Sequence, residues 1–221
     1  MTVKSPILTL ILCAETILYV SFLYCDLINC QMAGTALKYT ALLLCFLFSL
    51  DSRNSRDGRT VSLALLLTAL ADLFLLVLDC SYAVGIAFFC PVQMLYALRL
   101  RRMAKGRPSL LPRFLLSGGA LAAVGMAGCF DPVTILVCFY FPQLLCNAFE
   151  SLHSEPASRN RFFSLGLWLF LCCDICVGLH NLSAYLPVCL PVPAALVQIA
   201  MWAFYLPSQV LIVLSASRRL S

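Results

Sequence analysis

Apolar residues are arranged along the chain in eight long runs, and short polar segments separate them. A helix needs about 20 residues, within a range of about 17 to 25, to cross the hydrocarbon core of a bilayer. Each run is close to that length, and the short connections predict that neighbouring helices are antiparallel. We therefore predict an all-α, polytopic membrane helix bundle forming a single domain over residues 1–221, with transmembrane helices at about 6–25, 35–50, 60–79, 83–100, 113–130, 132–149, 162–181 and 193–216.

The composition supports lipid as the solvent of most side chains. Hydrophobic residues make up 62% of the 221 residues and charged residues only 11%, whereas about a quarter of the residues in a soluble domain are charged. The net charge of +5 does not indicate nucleic-acid binding, because the basic residues lie between apolar runs and form no binding module.

The basic residues indicate the topology instead. With eight spans, the turns that carry lysine and arginine all fall on one side of the membrane, and the opposite turns carry none. The positive-inside rule then places both termini in the cytoplasm, and the short turns favour a bacterial inner membrane. The basic residues on that side are Lys4, Arg53, Arg56, Arg59, Arg99, Arg101, Arg102, Lys105, Arg107, Arg113, Arg159, Arg161, Arg218 and Arg219.

Four ionisable residues remain inside the predicted spans: Glu15, Lys38, Asp72 and Asp174. A charge at the bilayer centre costs at least about 2.5–3.5 kcal/mol, so such residues are functional candidates. Both aspartates lie roughly 20 Å from the cytoplasmic ends of their helices at 1.5 Å per residue. Glu15 and Lys38 fall within about a turn of that depth, which predicts one polar layer.

Two interpretations of this layer remain open. Lys38 would neutralise one carboxylate, and the others would be protonated or hydrogen-bonded. Two carboxyl groups in unlike environments can supply general acid–base chemistry, which favours a catalytic role for Asp72 and Asp174. The alternative is an ion pair or hydrogen bond that only holds helices together, and for Glu15 this is an equal possibility.

A repeated pairing of proline with glutamine predicts a shared pocket. Helices 4, 6 and 8 carry Pro91-Val92-Gln93, Pro142-Gln143 and Pro207-Ser208-Gln209. A proline within a membrane helix frees backbone carbonyl groups, which neighbouring residues must satisfy.

The 13 cysteines mostly lie within apolar runs, where a thiol is a small packing group. A disulfide between Cys25 and Cys30, near the predicted outer surface, is conceivable. Cys173 and Cys176 share a helical face with no histidine beside them, so we expect no metal ion, and no motif indicates a cofactor.

Several motifs together resemble the YhhN-like lysoplasmalogenase family. In helices 3 and 4 they are the run 68–76 with its Asp72, the run 84–89, Gln93 and Tyr96. Helix 7 matches the family's pattern with Gly166, Phe170 and Asp174, and helix 8 matches it with the run 204–212, which contains Tyr205 and Gln209. Lys38 stands where the family has a lysine at the start of helix 2.

The resemblance implies an enzyme that hydrolyses the vinyl-ether bond of lysoplasmalogens to a fatty aldehyde and a glycerophospho-base. One of Asp72 and Asp174 would be the acid and the other the base, in an order that remains open. The substrate partner would be a lysophospholipid within the membrane lipids. The residues that would bind it are Lys38, which would meet a carboxylate or the lipid phosphate, and Glu15, Gln93, Tyr96, Tyr205 and Gln209.

Departures from the family pattern keep other functions open. Gln93 stands where the family usually has histidine, Ala71 replaces a glycine and Cys173 a serine. A non-catalytic lipid-binding protein of the same fold is therefore one alternative. A small proton-coupled transporter is the other, because transporters also place carboxyl groups and interrupted helices near the midplane.

Overall fold

The computed structural model describes residues 6–103, 110–155, 157–185 and 194–217. Within these ranges the chain forms eight α-helices and no strand. A 3₁₀ turn (Leu50–Ser52) follows the second helix, and a π-helical turn (Leu73–Val77) follows the third. The helices are α1 (Pro6–Leu27), α2 (Gln31–Ser49), α3 (Arg56–Asp72), α4 (Tyr82–Met103), α5 (Leu111–Met126), α6 (Pro132–Ser151), α7 (Ser158–Tyr185) and α8 (Ala194–Ala216).

Seven of these helices are long and apolar enough to cross a membrane, which identifies a polytopic membrane protein. The helix α5 has 16 residues, or about 24 Å at 1.5 Å per residue, and is shorter than the roughly 30 Å hydrocarbon core. A crossing by α5 stays a prediction, as does the cytoplasmic position of both termini. Lys4, Lys105, Arg107, Pro156, Cys189, Arg218 and Arg219 lie outside the described residues.

Local interactions fix several helix ends. The Ser55 hydroxyl accepts a hydrogen bond from the Gly58 backbone N–H at 2.9 Å and caps α3. Asp131 caps α6 by accepting bonds from the backbone N–H groups of Val133 and Thr134 at 2.9 and 3.1 Å. The Thr134 hydroxyl also bonds to this carboxylate, and together these donors hold the pKa of Asp131 below its ordinary value of 3.8.

The bundle has an apolar surface, and its largely apolar core also buries polar and charged side chains. Large apolar side chains such as Leu10, Met32 and Phe114 are exposed on its surface, whereas Asp72 and Gln93 are buried. Exposed apolar side chains carry no penalty in a hydrocarbon solvent, so this surface is that of a membrane protein and not that of a soluble one.

The α7–α8 pair forms the most extensive helix contact, and α8 also packs against α1, α2 and α3. Gly166 of α7 allows the close approach, because a Cβ atom there would lie 2.8 Å from Ile212 Cγ1 and 3.1 Å from the Ser208 carbonyl oxygen. Small residues at such crossings are typical of membrane helices. This packing brings α7 and α8 side by side in the bundle, where α8 also contacts α1, α2 and α3.

Two arginines that were predicted to lie in a turn are buried, and they bind side chains of neighbouring helices. Arg99 lies within α4, donates to both Asp57 carboxylate oxygens at 2.7 and 2.8 Å, and bonds to Ser215 at 2.6 Å. Arg113 lies within α5 and bonds to Glu150 of α6 at 2.6 Å. Since α4 continues through Met103 and α5 begins at Leu111, both arginines belong to helices and not to the turn between them.

Candidate active site

Asp72 is the last residue of α3 and is 5% exposed. The π-helical turn that follows it widens the helix, and such turns are frequent at functional sites. The Tyr205 hydroxyl of α8 donates a hydrogen bond to Asp72 Oδ2 at 2.6 Å. This short bond fixes the orientation of the carboxyl group.

Asp174 reaches the same region from α7. Its carboxyl group is partly buried and lies beside the Tyr140 hydroxyl of α6. The carboxyl groups of Asp72 and Asp174 are close enough to interact electrostatically. We call these four residues, Asp72, Tyr140, Asp174 and Tyr205, the carboxylate site; each comes from a different helix, α3, α6, α7 or α8.

Aromatic rings enclose the carboxylate site. Phe89 packs against Tyr140 and Phe170 with ring centroids 5.5 and 5.8 Å apart. Tyr205 in turn contacts Phe170 at 5.7 Å and Trp202 at 5.5 Å. Aromatic faces attract cations, so these rings would stabilise a positive charge that develops beside the two carboxyl groups.

The model of the YhhN family matches residues 33–216 of the chain. The chain belongs to the YhhN family. The resemblance predicted from its motifs is thereby confirmed, and the matched region contains every residue of the carboxylate site. Nothing among the curated proteins or the solved structures matches the chain.

In this YhhN family member, Lys38 pairs with none of the three carboxyl residues of the predicted polar layer. Its Nζ lies 2.8 Å from Asp26 Oδ1 of α1 and 4.5 Å from the centre of the Trp202 ring. The prediction that Lys38 neutralises Glu15, Asp72 or Asp174 is wrong, because Asp26 at the end of α1 is its partner. Lys38 nevertheless lies beside the site, since Trp202 contacts Tyr205.

Glu15 lies apart from the carboxylate site. Its Oε1 accepts a hydrogen bond from the Cys45 thiol at 3.2 Å, and its Oε2 has no partner among the described residues. The surrounding cavity is lined mainly by apolar side chains of α1, α2 and α8. Its volume of about 10 Å³ has room for about one water molecule. The predicted single layer therefore divides into two separate carboxyl environments.

The proline–glutamine segments do not form one pocket. Asn147 donates to the backbone oxygen and to Oε1 of Gln93, both at 2.9 Å. Gln143 instead accepts a bond from Arg113 at 2.9 Å, and Gln209 bonds to the neighbouring Ser208 at 3.3 Å. Each glutamine thus has different partners, and Gln93 is bound to α6 rather than to either aspartate.

Tyr96 is fully buried, and its hydroxyl has no hydrogen-bond partner in the described part of the chain. Its ring packs edge-on against Phe163 at 5.5 Å. A role in binding water or a head group stays a prediction.

Sequence reasoning missed Tyr140, Asp26 and Asn147. Tyr140 carried a usable signal, because a tyrosine within a membrane helix needs a partner for its hydroxyl. Asp26 lies one residue beyond the predicted helix 6–25 and was not considered, although its short distance in sequence from Lys38 indicated a pair. The disulfide considered between Cys25 and Cys30 is not formed, because both are free thiols in the structure.

Proposed function

We propose that this YhhN family member is a membrane-embedded hydrolase that cleaves the vinyl-ether bond of lysoplasmalogens, releasing a fatty aldehyde and a glycerophospho-base. The observation that carries the proposal is the meeting of Asp72 and Asp174, from α3 and α7, in one aromatic-walled site. The Asp72 carboxyl group accepts a hydrogen bond from Tyr205, and Tyr140 lies beside Asp174. Family membership supports the same activity.

The chemistry requires one acid and one base. A carboxylic acid transfers its proton to the vinyl carbon that is not bonded to oxygen, and the C=C electron pair forms the new C–H bond, which leaves an oxocarbenium ion. Water adds to this cation and loses a proton to the other carboxylate. The resulting hemiacetal then expels the glycerol oxygen as an alcohol and gives the aldehyde, so that one water molecule is consumed.

The carboxylate site matches these requirements. Two like charges repel each other strongly in a low-dielectric site, so the pair is most stable when it carries one proton. One carboxyl group is then the acid and the other the base, and their order remains open because each has a tyrosine hydroxyl as a neighbour. The surrounding rings, Phe89 and Phe170 among them, stabilise the developing cation.

The substrate would enter from the lipid phase with its head group towards Lys38. The Asp26 partner offsets the charge of Lys38, so its contribution is to position Trp202 or to bind the lipid phosphate. Gln209 is the nearest amide in sequence to Tyr205, and its Oε1 has no partner among the described residues. That oxygen could accept a hydrogen bond from the attacking water.

The test is aldehyde release from a lysoplasmalogen by the purified protein. The wild type should release aldehyde, and Asp72→Asn and Asp174→Asn should each reduce the rate by at least a hundredfold, a loss typical of a general acid or base. The matched control is Asp79→Asn, which changes an exposed aspartate just beyond the π-helical turn. Wild-type protein that binds the lipid but releases no aldehyde would contradict the proposal.

The two alternatives give different results in the same preparation. A non-catalytic lipid-binding protein would bind lysoplasmalogen and leave it unchanged. Gln93, which stands where the family usually has histidine, is the reason to test this alternative. A proton-coupled transporter would move substrate or protons across vesicles without forming a product. The cytoplasmic termini and the bacterial inner membrane remain predictions of the charge pattern.

A further inference from the structure

A cavity of about 540 Å³ lies between α4, α5 and α6 and shares no residue with the carboxylate site. This volume is within the range of about 300–1,000 Å³ that is usual for small-molecule sites. Met94, Phe114 and Phe139 line it and are exposed at the surface of the bundle. The cavity therefore opens towards the lipid that surrounds the helices.

One end of the cavity is basic. Arg101 and Arg113 both line it, but their charges differ in availability. Arg113 is buried and paired with Glu150 at 2.6 Å. Arg101 is exposed near the end of α4 and has no carboxylate partner within the described ranges. The cavity thus has one uncompensated positive charge at its edge.

A buried donor lies deeper in the same cavity. Ser117 is 5% exposed, lines the cavity, and its hydroxyl has no hydrogen-bond partner in the described part of the chain. A buried hydroxyl without a partner is costly, so an acceptor supplied by a ligand would stabilise it. Ser117 lies about one helical turn, roughly 5.4 Å, beyond Arg113.

We propose that this cavity binds one phospholipid of the surrounding bilayer. Its phosphate lies against Arg101, its ester carbonyl accepts a hydrogen bond from Ser117, and one acyl chain lies along Met94 and Phe139. Met94 lies seven residues, about two helical turns, before Arg101 in α4, so the apolar lining continues from the basic end of the cavity towards the hydrocarbon. The lipid also completes the packing of α5, whose main helix contact is with α6.

The proposal is tested by lipid binding to the full chain in detergent micelles. The probe is dioleoylphosphatidylglycerol, and native mass spectrometry counts the lipid that each protein molecule retains. One lipid should bind tightly, and Arg101→Gln should weaken its binding about fivefold, as expected for one basic residue near a membrane phosphate. Arg53→Gln, which removes an exposed charge from another turn, is the matched control and should change nothing.

Two further variants test the apolar part of the site. Ala97→Trp fills the cavity, and Leu98→Gln makes its lining polar without adding bulk, so that a folding defect in one does not prevent the test. Both should lower lipid retention at least fivefold while the helical circular dichroism stays unchanged. Dioleoylglycerol, which lacks the phosphate, should bind the wild type about as weakly as the complete lipid binds Arg101→Gln.

Three results would overturn the proposal. The first is equal lipid retention by the wild type and all three cavity variants. The second is displacement of the lipid by millimolar inorganic phosphate, which would identify a site for the free anion. The third is a dimer that Ala97→Trp converts to a monomer, because a second copy of the chain would then occupy the cavity.

Discussion

The Tyr205 hydroxyl gives the sharpest test of how the carboxylate site works. Tyr205→Phe removes the donor that lies 2.6 Å from Asp72 Oδ2 and keeps the ring that packs against Phe170 and Trp202. A hydrogen bond to a charged group contributes about 1.5–3 kcal/mol. If it orients Asp72 in the transition state, its loss should reduce kcat/KM by about 10- to 150-fold.

Tyr96→Phe is the matched control. Tyr96 is as deeply buried as Tyr205, but its hydroxyl has no partner among the described residues. Removing that hydroxyl should change the free energy of unfolding by no more than about 0.5 kcal/mol and the rate by about twofold or less, whereas the substrate-binding role predicted from the sequence would make the loss of rate larger. The assay is the rate of aldehyde release from lysoplasmalogen by each purified variant, together with its melting temperature.

The pair of variants separates a specific hydrogen bond from a general effect of removing a buried hydroxyl. Equal losses in Tyr205→Phe and Tyr96→Phe would refute the reasoning, as would a Tyr205→Phe variant that retains more than half of the wild-type rate. A Tyr205→Phe change added to Asp72→Asn should have little further effect, because both substitutions remove the same interaction.

Three other regions give independent predictions. Lys38→Met and Asp26→Asn should each lower the free energy of unfolding by about 1–3 kcal/mol, and the double variant should lose less than the sum in a denaturation cycle. Gly166→Leu should lower it by about 1–3 kcal/mol through overpacking and slow aldehyde release, whereas Gly178→Leu, which faces open space, should do neither. The pKa of Asp131 is below 3.8, so the stabilisation it gives is present above that value and is lost as the pH falls through the folded-state pKa. The difference in melting temperature between wild type and Asp131→Asn should therefore shrink below about pH 3.8, and a constant difference would contradict the cap.

The helices were largely predictable because a membrane makes hydropathy and length direct signals. The sequence placed Asp72 and Asp174 at one depth, and their neighbourhood depended on helix packing, which depth alone does not specify. The same limit explains the error for Glu15: it lies at a similar predicted depth but faces Cys45 on α2. The depth of a residue can be predicted from its position along one helix, whereas the neighbours of its side chain depend on how several helices pack together.

The helix ends were less predictable for a different reason. The sequence placed the start of helix 2 at residue 35, but α2 begins about one turn earlier, at Gln31. Lys38 therefore lies about one turn further into the helix than predicted, and it faces Asp26. Polar residues at a membrane surface can continue a helix as easily as end it. For the same reason Arg99 was assigned to a turn, although its bonds to Asp57 lie inside the bundle.

The most direct test of the central proposal is lysoplasmalogen hydrolysis in heavy water. If a carboxyl group protonates the vinyl carbon, the aldehyde released by the wild type should carry one deuterium on the carbon next to the carbonyl, as measured by mass spectrometry after immediate reduction. Asp72→Asn and Asp174→Asn should release almost no aldehyde, while Asp79→Asn should match the wild type. Aldehyde release at the wild-type rate by both Asn variants, or aldehyde without deuterium at that carbon, would contradict the account.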